Sequence, residues 1–221
     1  MLRRGAGDHR KTHHGGRPII TKRIIAAVLA LLLLTTTAHA ERVTDRKSME
    51  DEAWLWDELS QHSPSDVVTA AVLSYFWRES QYRSDAVAGW GMSLAGYGID
   101  LCETVTAKTD AGLVDGSSRS WFIKKARRHG GYGLGQWYRA SYVEDLYDFA
   151  REWGTSIGDA EMQCAFVFHS LKQNKALWKK LKRCKDPERA GRLIAIYYDG
   201  SQTAAPYVGY KAAKLYDKYT N

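Results

Sequence analysis

The stretch from Ser63 to Ser80 constrains the fold most, because it predicts one amphipathic helix with an acid on its apolar side. Ser63 fits the N-cap position, Pro64 the first helical position and Asp66 the place of a capping-box acid. At about 100° per residue, the positions that share one face are apolar, namely Val68, Ala71, Val72 and Tyr75. Glu79 continues this stripe. Because an apolar setting destabilises a charged carboxylate, we expect Glu79 to have a raised pKa, which suits a general acid.

A second constraint is the glycine-aromatic segment Gly131-Tyr132-Gly133-Leu134-Gly135-Gln136-Trp137. Glycines let the backbone turn sharply and approach a ligand closely. Neither the frame of a dinucleotide fingerprint nor the Gly-Lys-Ser/Thr of a phosphate-binding loop accompanies the segment. We therefore expect it to line a cleft, with Tyr132 and Trp137 as aromatic walls.

Together the two segments resemble the phage tail lysozyme family. The stretch Trp77 to Val87 is similar to that family's E-S-x-aromatic-x-(P/S)-(N/D)-A segment, and Gly131 to Trp137 is similar to its YG-(I/L)-x-QW segment. Glu188 to Gly200, which contains Tyr197-Tyr198-Asp199, resembles the family's late A-x-x-F-x-x-x-Y-E helix. With weaker similarity between these stretches, the resemblance covers roughly Trp54 to Tyr219.

The resemblance implies a mainly α, lysozyme-like helical domain with a catalytic cleft. It also implies a muramidase, an enzyme that cleaves the β-1,4 bond between N-acetylmuramic acid and N-acetylglucosamine in peptidoglycan glycan strands. Glu79 would be the catalytic acid. Tyr132, Gly133, Gln136 and Trp137 would bind the substrate, the two rings against sugar faces and the glycine backbone at the N-acetyl groups. We expect a monomer without a cofactor or metal.

A second carboxylate is not fixed by the sequence, and Asp85, Asp100, Glu103 and Asp115 are all candidates. Asp85 is preferred because it lies close to the end of the Glu79 helix, although helix capping is an alternative role. A lytic transglycosylase needs no water-activating base, since the muramyl 6-hydroxyl attacks and a 1,6-anhydro product forms. That reaction and a non-catalytic wall-binding module both stay as alternatives.

Residues 1–40 have the pattern of a targeting segment. The first 23 residues carry seven bases and one acid, an apolar run without charges follows, and Ala38-His39-Ala40 fits a small-x-small cleavage site. We expect a signal peptide over residues 1–40, or an uncleaved membrane anchor through residues 24–40, followed by a single catalytic domain over residues 41–221. Either form places the domain outside the cytoplasmic membrane, secreted or attached to the cell envelope.

The charge of the chain gives no argument for nucleic-acid binding. The whole chain carries +7, and the first 40 residues contribute seven bases and one acid, or +6, so the remainder carries about +1. The basic stretch Lys172 to Lys185 fits either a solvated helix face or a patch for anionic polymers.

Three cysteines, Cys102, Cys164 and Cys184, lie beyond the leader. Because export favours disulfides, and because Cys164 and Cys184 lie on consecutive expected helices, we expect these two to pair and Cys102 to stay free. No ordered set of histidines and cysteines predicts a zinc site.

The rest of the chain predicts a mainly α domain. The stretch Val87 to Gly130 is rich in glycine and weak in periodicity, and a small β-ribbon is allowed between Val87 and Gln136. The further expected helices run over Ser48–Ser60, from a Ser141/Glu144 capping box to a stop at Gly154, over Asp159–Gln173, from Asp186-Pro187 onward, and over Pro206–Tyr219.

Overall fold

A computed structural model describes residues 50–87 and 98–221, with side chains from residue 101 onward in the second range. The leader predicted over residues 1–40 lies outside the described residues. Where the structure describes the chain, the helices are α1 Glu52–His62, α2 Asp66–Ser80, α3 Gly98–Asp110, α4 Arg119–Arg128, α5 Ala140–Trp153, α6 Ala160–Gln173, α7 Lys175–Arg183, α8 Pro187–Ile194, a π-helical segment Ala195–Asp199 that continues α8, and α9 Ala205–Thr220. The predicted mainly α fold is confirmed.

The β-ribbon that the sequence allows is reduced, within the described residues, to isolated antiparallel bridges. Tyr132 pairs with Val87 on one side and with Trp137 on the other. These bridges fold the glycine-aromatic segment back on itself and attach it to the chain that follows α2.

The central helix, α2, begins later than the sequence predicts. Its N-cap is Ser65, whereas Ser63 ends α1 with its N–H donating to the carbonyl oxygen of Leu59 at 3.0 Å. Ser63 does not cap α2 with its side chain. Its hydroxyl donates to the carbonyl oxygen of Ser65 at 2.8 Å instead.

The start of α5 also differs from the prediction. Arg139 is the N-cap, so Ser141 lies inside the first turn and the Ser141/Glu144 capping box does not form. Glu144 instead lies 3.6 Å from Arg119. The predicted stop is confirmed, because Gly154 takes a left-handed conformation at φ 75°.

Two other helix starts are confirmed. Asp159 caps α6 by accepting the N–H of Met162 at 2.9 Å. Asp186 caps α8 by accepting the N–H of Glu188 at 2.9 Å, and Pro187 follows at the first helical position.

The stretch with weak periodicity contains two helices that the sequence did not predict, α3 and α4. In α4 the fully buried residues are Phe122 and Ala126, one for each turn. The i, i+4 spacing of these two residues is itself a helical pattern, which sequence reasoning missed.

The core forms around α2, which packs against α1, α8 and α9. Helices α8 and α9 meet at two glycines. A Cβ on Gly191 would lie 2.7 Å from the carbonyl oxygen of Val208, and one on Gly209 would lie 2.8 Å from that of Glu188. Only glycine permits this separation of the two backbones.

In α7, Leu177 and Leu181 are buried and the lysines and arginine are exposed. Of the two alternatives given for Lys172 to Lys185, this arrangement fits the solvated helix face. Among the described residues, no helix is both long and apolar enough to cross a membrane.

The predicted disulfide between Cys164 and Cys184 is not formed in the structure. Cys102, Cys164 and Cys184 are all free and buried. The Sγ of Cys184 donates to the carbonyl oxygen of Asp186 at 3.2 Å, at the start of α8. That thiol therefore faces the capping turn rather than a second cysteine.

One side chain joins three loops. Gln163, fully buried in α6, donates from Nε2 to the carbonyl oxygens of Ser84 at 2.7 Å and Ile157 at 2.8 Å. Its Oε1 accepts the N–H of Leu134 at 2.7 Å. The chain after α2, the α5–α6 loop and the glycine-aromatic segment are thus held by a single amide.

Gln163→Leu is expected to lower the free energy of unfolding by about 3 kcal/mol or more, because three buried backbone groups lose their partner. Gln173→Leu, at the exposed end of the same helix, is the matched control and should change it by less than about 1 kcal/mol. Urea unfolding followed by circular dichroism measures both. Equal losses in the two variants would contradict the role given to Gln163.

Candidate active site

The predicted setting of Glu79 is confirmed. The stripe residues Val68, Ala71, Val72 and Tyr75 are at most 2% exposed, and the Glu79 side chain at the end of α2 is 13% exposed. Its Oε1 accepts a hydrogen bond from Nη1 of Arg78 at 2.8 Å. The carboxyl group therefore lies on an apolar wall with one cationic neighbour, which is itself largely exposed.

Asp199 supplies a second carboxyl group to this site. It is the last residue of the π-helical segment, and Gly200 ends that segment in a left-handed conformation at φ 87°. Nη2 of Arg139 donates to the carbonyl oxygen of Asp199 at 3.1 Å. A π-helical segment changes the direction in which side chains leave a helix, and such segments are frequent at functional sites.

The two carboxyl groups influence each other. The pKa of Glu79 is raised to about 7. Burial is the largest cause, the negative charge of Asp199 adds to it, and the Arg78 guanidinium opposes both. Burial also raises the pKa of Asp199, against the charges of Arg78 and Arg139. Glu79 can thus hold a transferable proton near neutral pH, while two guanidinium groups favour the ionised form of Asp199.

A narrow crevice lies beside Asp199. The residues that line it are Tyr75, Gln136, Trp137, Tyr138, Arg139, Tyr142, Tyr198 and Asp199. Its volume of about 10 Å³ admits little more than a water molecule, so the described residues do not show the predicted catalytic cleft. Tyr75, from the middle of α2, donates its hydroxyl proton to the carbonyl oxygen of Gly135 and so joins the crevice to the glycine-aromatic segment.

The two rings predicted to contact sugars are in the core. Tyr132 is fully buried, with its hydroxyl 2.6 Å from Oγ1 of Thr106. Trp137 is 1% exposed and donates from Nε1 to the hydroxyl of Tyr198 at 2.8 Å. The prediction that these rings pack against sugar faces is therefore corrected: both rings are buried in the core, where they anchor the glycine-aromatic segment.

The backbone of the glycine-aromatic segment is likewise used within the protein. The N–H of Gly133 donates to the carbonyl oxygen of Ala86 at 2.8 Å. Gly133 has φ 79°, and a Cβ there would lie 2.5 Å from Oε1 of Gln163. This glycine is required by the approach of Gln163, not by a ligand.

Gln136 is buried, but its side-chain amide is only partly hydrogen-bonded within the described residues. Nε2 donates to the carbonyl oxygens of Ala86 at 3.0 Å and Gly133 at 2.8 Å. Oε1 has no hydrogen-bond partner among the described residues. Gln136 also lines the crevice, and a buried acceptor without a partner is unusual in a folded protein.

The carboxylates that the sequence offered as partners of Glu79 lie elsewhere or outside the description. Asp85 is buried and its Oδ1 lies 3.2 Å from Nη2 of Arg83. Asp115 and Glu103 are exposed, and the side chain of Asp100 is outside the described part. Asp199 was missed as a site residue, although the match of Tyr198-Asp199 to the Tyr-Glu of the family's late helix was the available signal.

Within the described residues, no group of three or more histidines, cysteines, aspartates and glutamates is placed to hold a metal ion.

The mainly helical fold agrees with a lysozyme-like domain. Residues 50–219 match the family described as phage tail lysozyme, so the chain belongs to that family. Comparison with curated proteins and with solved structures gave no significant match. Family membership indicates a lysozyme-like function that degrades peptidoglycan of the cell wall.

The raised pKa of Glu79 predicts a specific pH dependence of stability. The folded-state pKa of about 7 exceeds the unfolded value of 4.5, so stability is greatest below the unfolded pKa and is lost as pH rises toward 7. Glu79→Gln stays neutral and escapes this loss. We expect it to exceed the wild type by about 3 kcal/mol at pH 8 and to match it near pH 4.

Chemical denaturation at both pH values measures this difference. Glu152→Gln, which removes an exposed carboxylate at the end of α5, is the control and should follow the wild type at each pH. A Glu79→Gln variant that is no more stable than the wild type at pH 8 would show that Glu79 is not held in its neutral form.

Proposed function

We propose that this chain is a muramidase that hydrolyses the β-1,4 bond between N-acetylmuramic acid and N-acetylglucosamine, with Glu79 as the general acid. The observation that carries the proposal is the setting of Glu79, whose burial raises its pKa to about 7. A carboxyl group that keeps its proton near neutral pH can donate it to a leaving oxygen. Family membership supplies the substrate class.

In the proposed reaction, Glu79 donates its proton to the glycosidic oxygen as the bond from that oxygen to the muramyl C1 breaks. Positive charge then develops on the sugar ring, and the Asp199 carboxylate stabilises it. A water molecule adds its hydroxyl group to C1, and its remaining proton restores the acid. The product carries a reducing muramic end.

Asp199 takes the place that the sequence gave to Asp85. Its charge acts on Glu79, whereas Asp85 is buried against Arg83. Burial raises the pKa of Asp199, and Arg78 and Arg139 act against this rise by stabilising the ionised form, which is the form that the developing cation requires. A lytic transglycosylase, in which the muramyl 6-hydroxyl attacks in place of water, stays the alternative.

The four residues predicted to bind substrate divide into two roles in this proposal. Tyr132, Gly133 and Trp137 hold the backbone of the glycine-aromatic segment. Gln136 stays a proposed contact of the sugar, since it lines the crevice and its Oε1 has no hydrogen-bond partner among the described residues. The leader over residues 1–40 and the domain over 41–221 stay predictions, as does export.

Glu79→Gln is expected to reduce the rate of peptidoglycan hydrolysis by about 10²–10⁴-fold, because the amide has no transferable proton. Wild-type activity should fall as pH rises past about 7, when Glu79 ionises. Turbidity loss of a cell-wall suspension measures the rate, with Glu152→Gln as the matched control. Wild-type activity in the folded Glu79→Gln protein would refute the assignment.

Mass spectrometry of the digested glycan identifies the reaction. Reducing muramic ends support hydrolysis, whereas a 1,6-anhydro product, lighter by one water, establishes a transglycosylase. A wild-type protein that sediments with the wall and leaves it intact is a binding module.

Asp199→Asn is expected to shift the alkaline limb of the pH–rate profile to lower pH, besides slowing the reaction. Removal of the Asp199 charge removes one cause of the raised pKa of Glu79, so the acid loses its proton at lower pH. Asp217→Asn, at an exposed position of α9, is the control. An unmoved alkaline limb in Asp199→Asn would show that the two groups do not interact.

A further inference from the structure

A groove lies on α4, and Glu79 is not among the residues that line it. We call it the α4 groove; it has a volume of about 750 Å³, and its charged lining consists of Arg119, Lys124, Arg127, Arg128 and Glu144. It is far larger than the crevice at Asp199. The two share Tyr138, whose ring is 44% exposed.

The charges of the α4 groove are unevenly compensated. Arg119 donates from Nε and Nη2 to the two carboxylate oxygens of Asp148 at 2.9 and 2.8 Å. Lys124, Arg127 and Arg128 are exposed and form no ion pair with any described residue. Three free cations thus line a groove in a domain whose net charge, without its first 40 residues, is only about +1.

The electrostatic field at the end of α4 agrees with this concentration of charge. The pKa of His129, which follows the helix, is lowered by burial and by the positive charges of Lys125 and Arg128. Further cations are unfavourable here, and an anion is favourable.

We propose that the α4 groove binds the carboxylates of the peptide stems that the glycan strand carries, so that the protein selects peptide-bearing over stripped glycan. This inference rests on the proposed function, since the stems reach the groove only when the strand lies at Glu79. Each muramyl residue carries a stem with free carboxylates, attached next to the bond to be cleaved. Through Tyr138 the groove adjoins the crevice at Asp199, and an anion fixed to the strand is the partner that this placement fits.

The test compares two substrates: wall freed of teichoic acids, and the same wall after an amidase has removed its stems, which leaves one lactyl carboxylate on each muramyl residue. The groove variant is the triple change Lys124→Gln, Arg127→Gln and Arg128→Gln in the full-length chain. The control variant is Lys179→Gln, Lys182→Gln and Arg183→Gln, which removes the same charge from exposed positions of α7. The readout is the ratio of kcat/KM for peptide-bearing wall to that for stripped wall.

We expect the wild type to prefer peptide-bearing wall by about tenfold and the groove variant to lose this preference, mainly through KM. The control variant should keep the wild-type ratio. An equal rate of the wild type on both substrates, or an equal loss of the ratio in both variants, would overturn the proposal.

Sedimentation of Glu79→Gln with the two walls distinguishes failure of the proposed function from failure of the groove proposal. If the wild type cleaves neither wall, retention of Glu79→Gln on peptide-bearing wall alone still supports the groove, and equal retention on both refutes it. A third wall that keeps its teichoic acids completes the test: retention on this wall alone also refutes the proposal, because the groove would then bind a phosphate polymer.

Discussion

The buried amide of Gln163 is the interaction on which the rest of the site depends. It binds the chain after α2, the α5–α6 loop and the glycine-aromatic segment at once, through the carbonyls of Ser84 and Ile157 and the N–H of Leu134. None of these loops has a regular ladder of its own, so their backbone groups need this partner in the interior. The conformation of Gly133 follows from it, since any larger residue would displace the amide.

The same assembly sets the electrostatics of the candidate site. The core side of α2 excludes water from Glu79, and the π-helical segment brings Asp199 near it. Each effect favours a proton on Glu79, whereas Arg78 limits the shift so that the pKa stays near neutrality. A carboxyl group with a pKa of about 7 is balanced between holding and releasing its proton, which is the property that an acid catalyst uses.

Sequence reasoning succeeded where the signal is local. The stripe of α2 and the position of Glu79 on it, the stop at Gly154, and the start at Asp186-Pro187 were all predicted, because each depends on residues within about one or two turns. It failed at Ser63, which ends α1 instead of starting α2, and at α4, although Phe122 and Ala126 have the helical i, i+4 spacing.

The sequence by itself determined the helical class of this protein, its family and the apolar setting of Glu79, since these are carried by periodicity, caps and short motifs. Only the tertiary structure decided which residues meet Glu79. A segment of glycine and aromatic residues has the same sequence pattern whether it forms a ligand-binding loop or a buried turn. The buried hydrogen bonds of Tyr132 and Trp137 show that this segment is a buried turn. Asp199 joins the site because α8 packs against α2, a contact between segments far apart in the chain that no local pattern encodes.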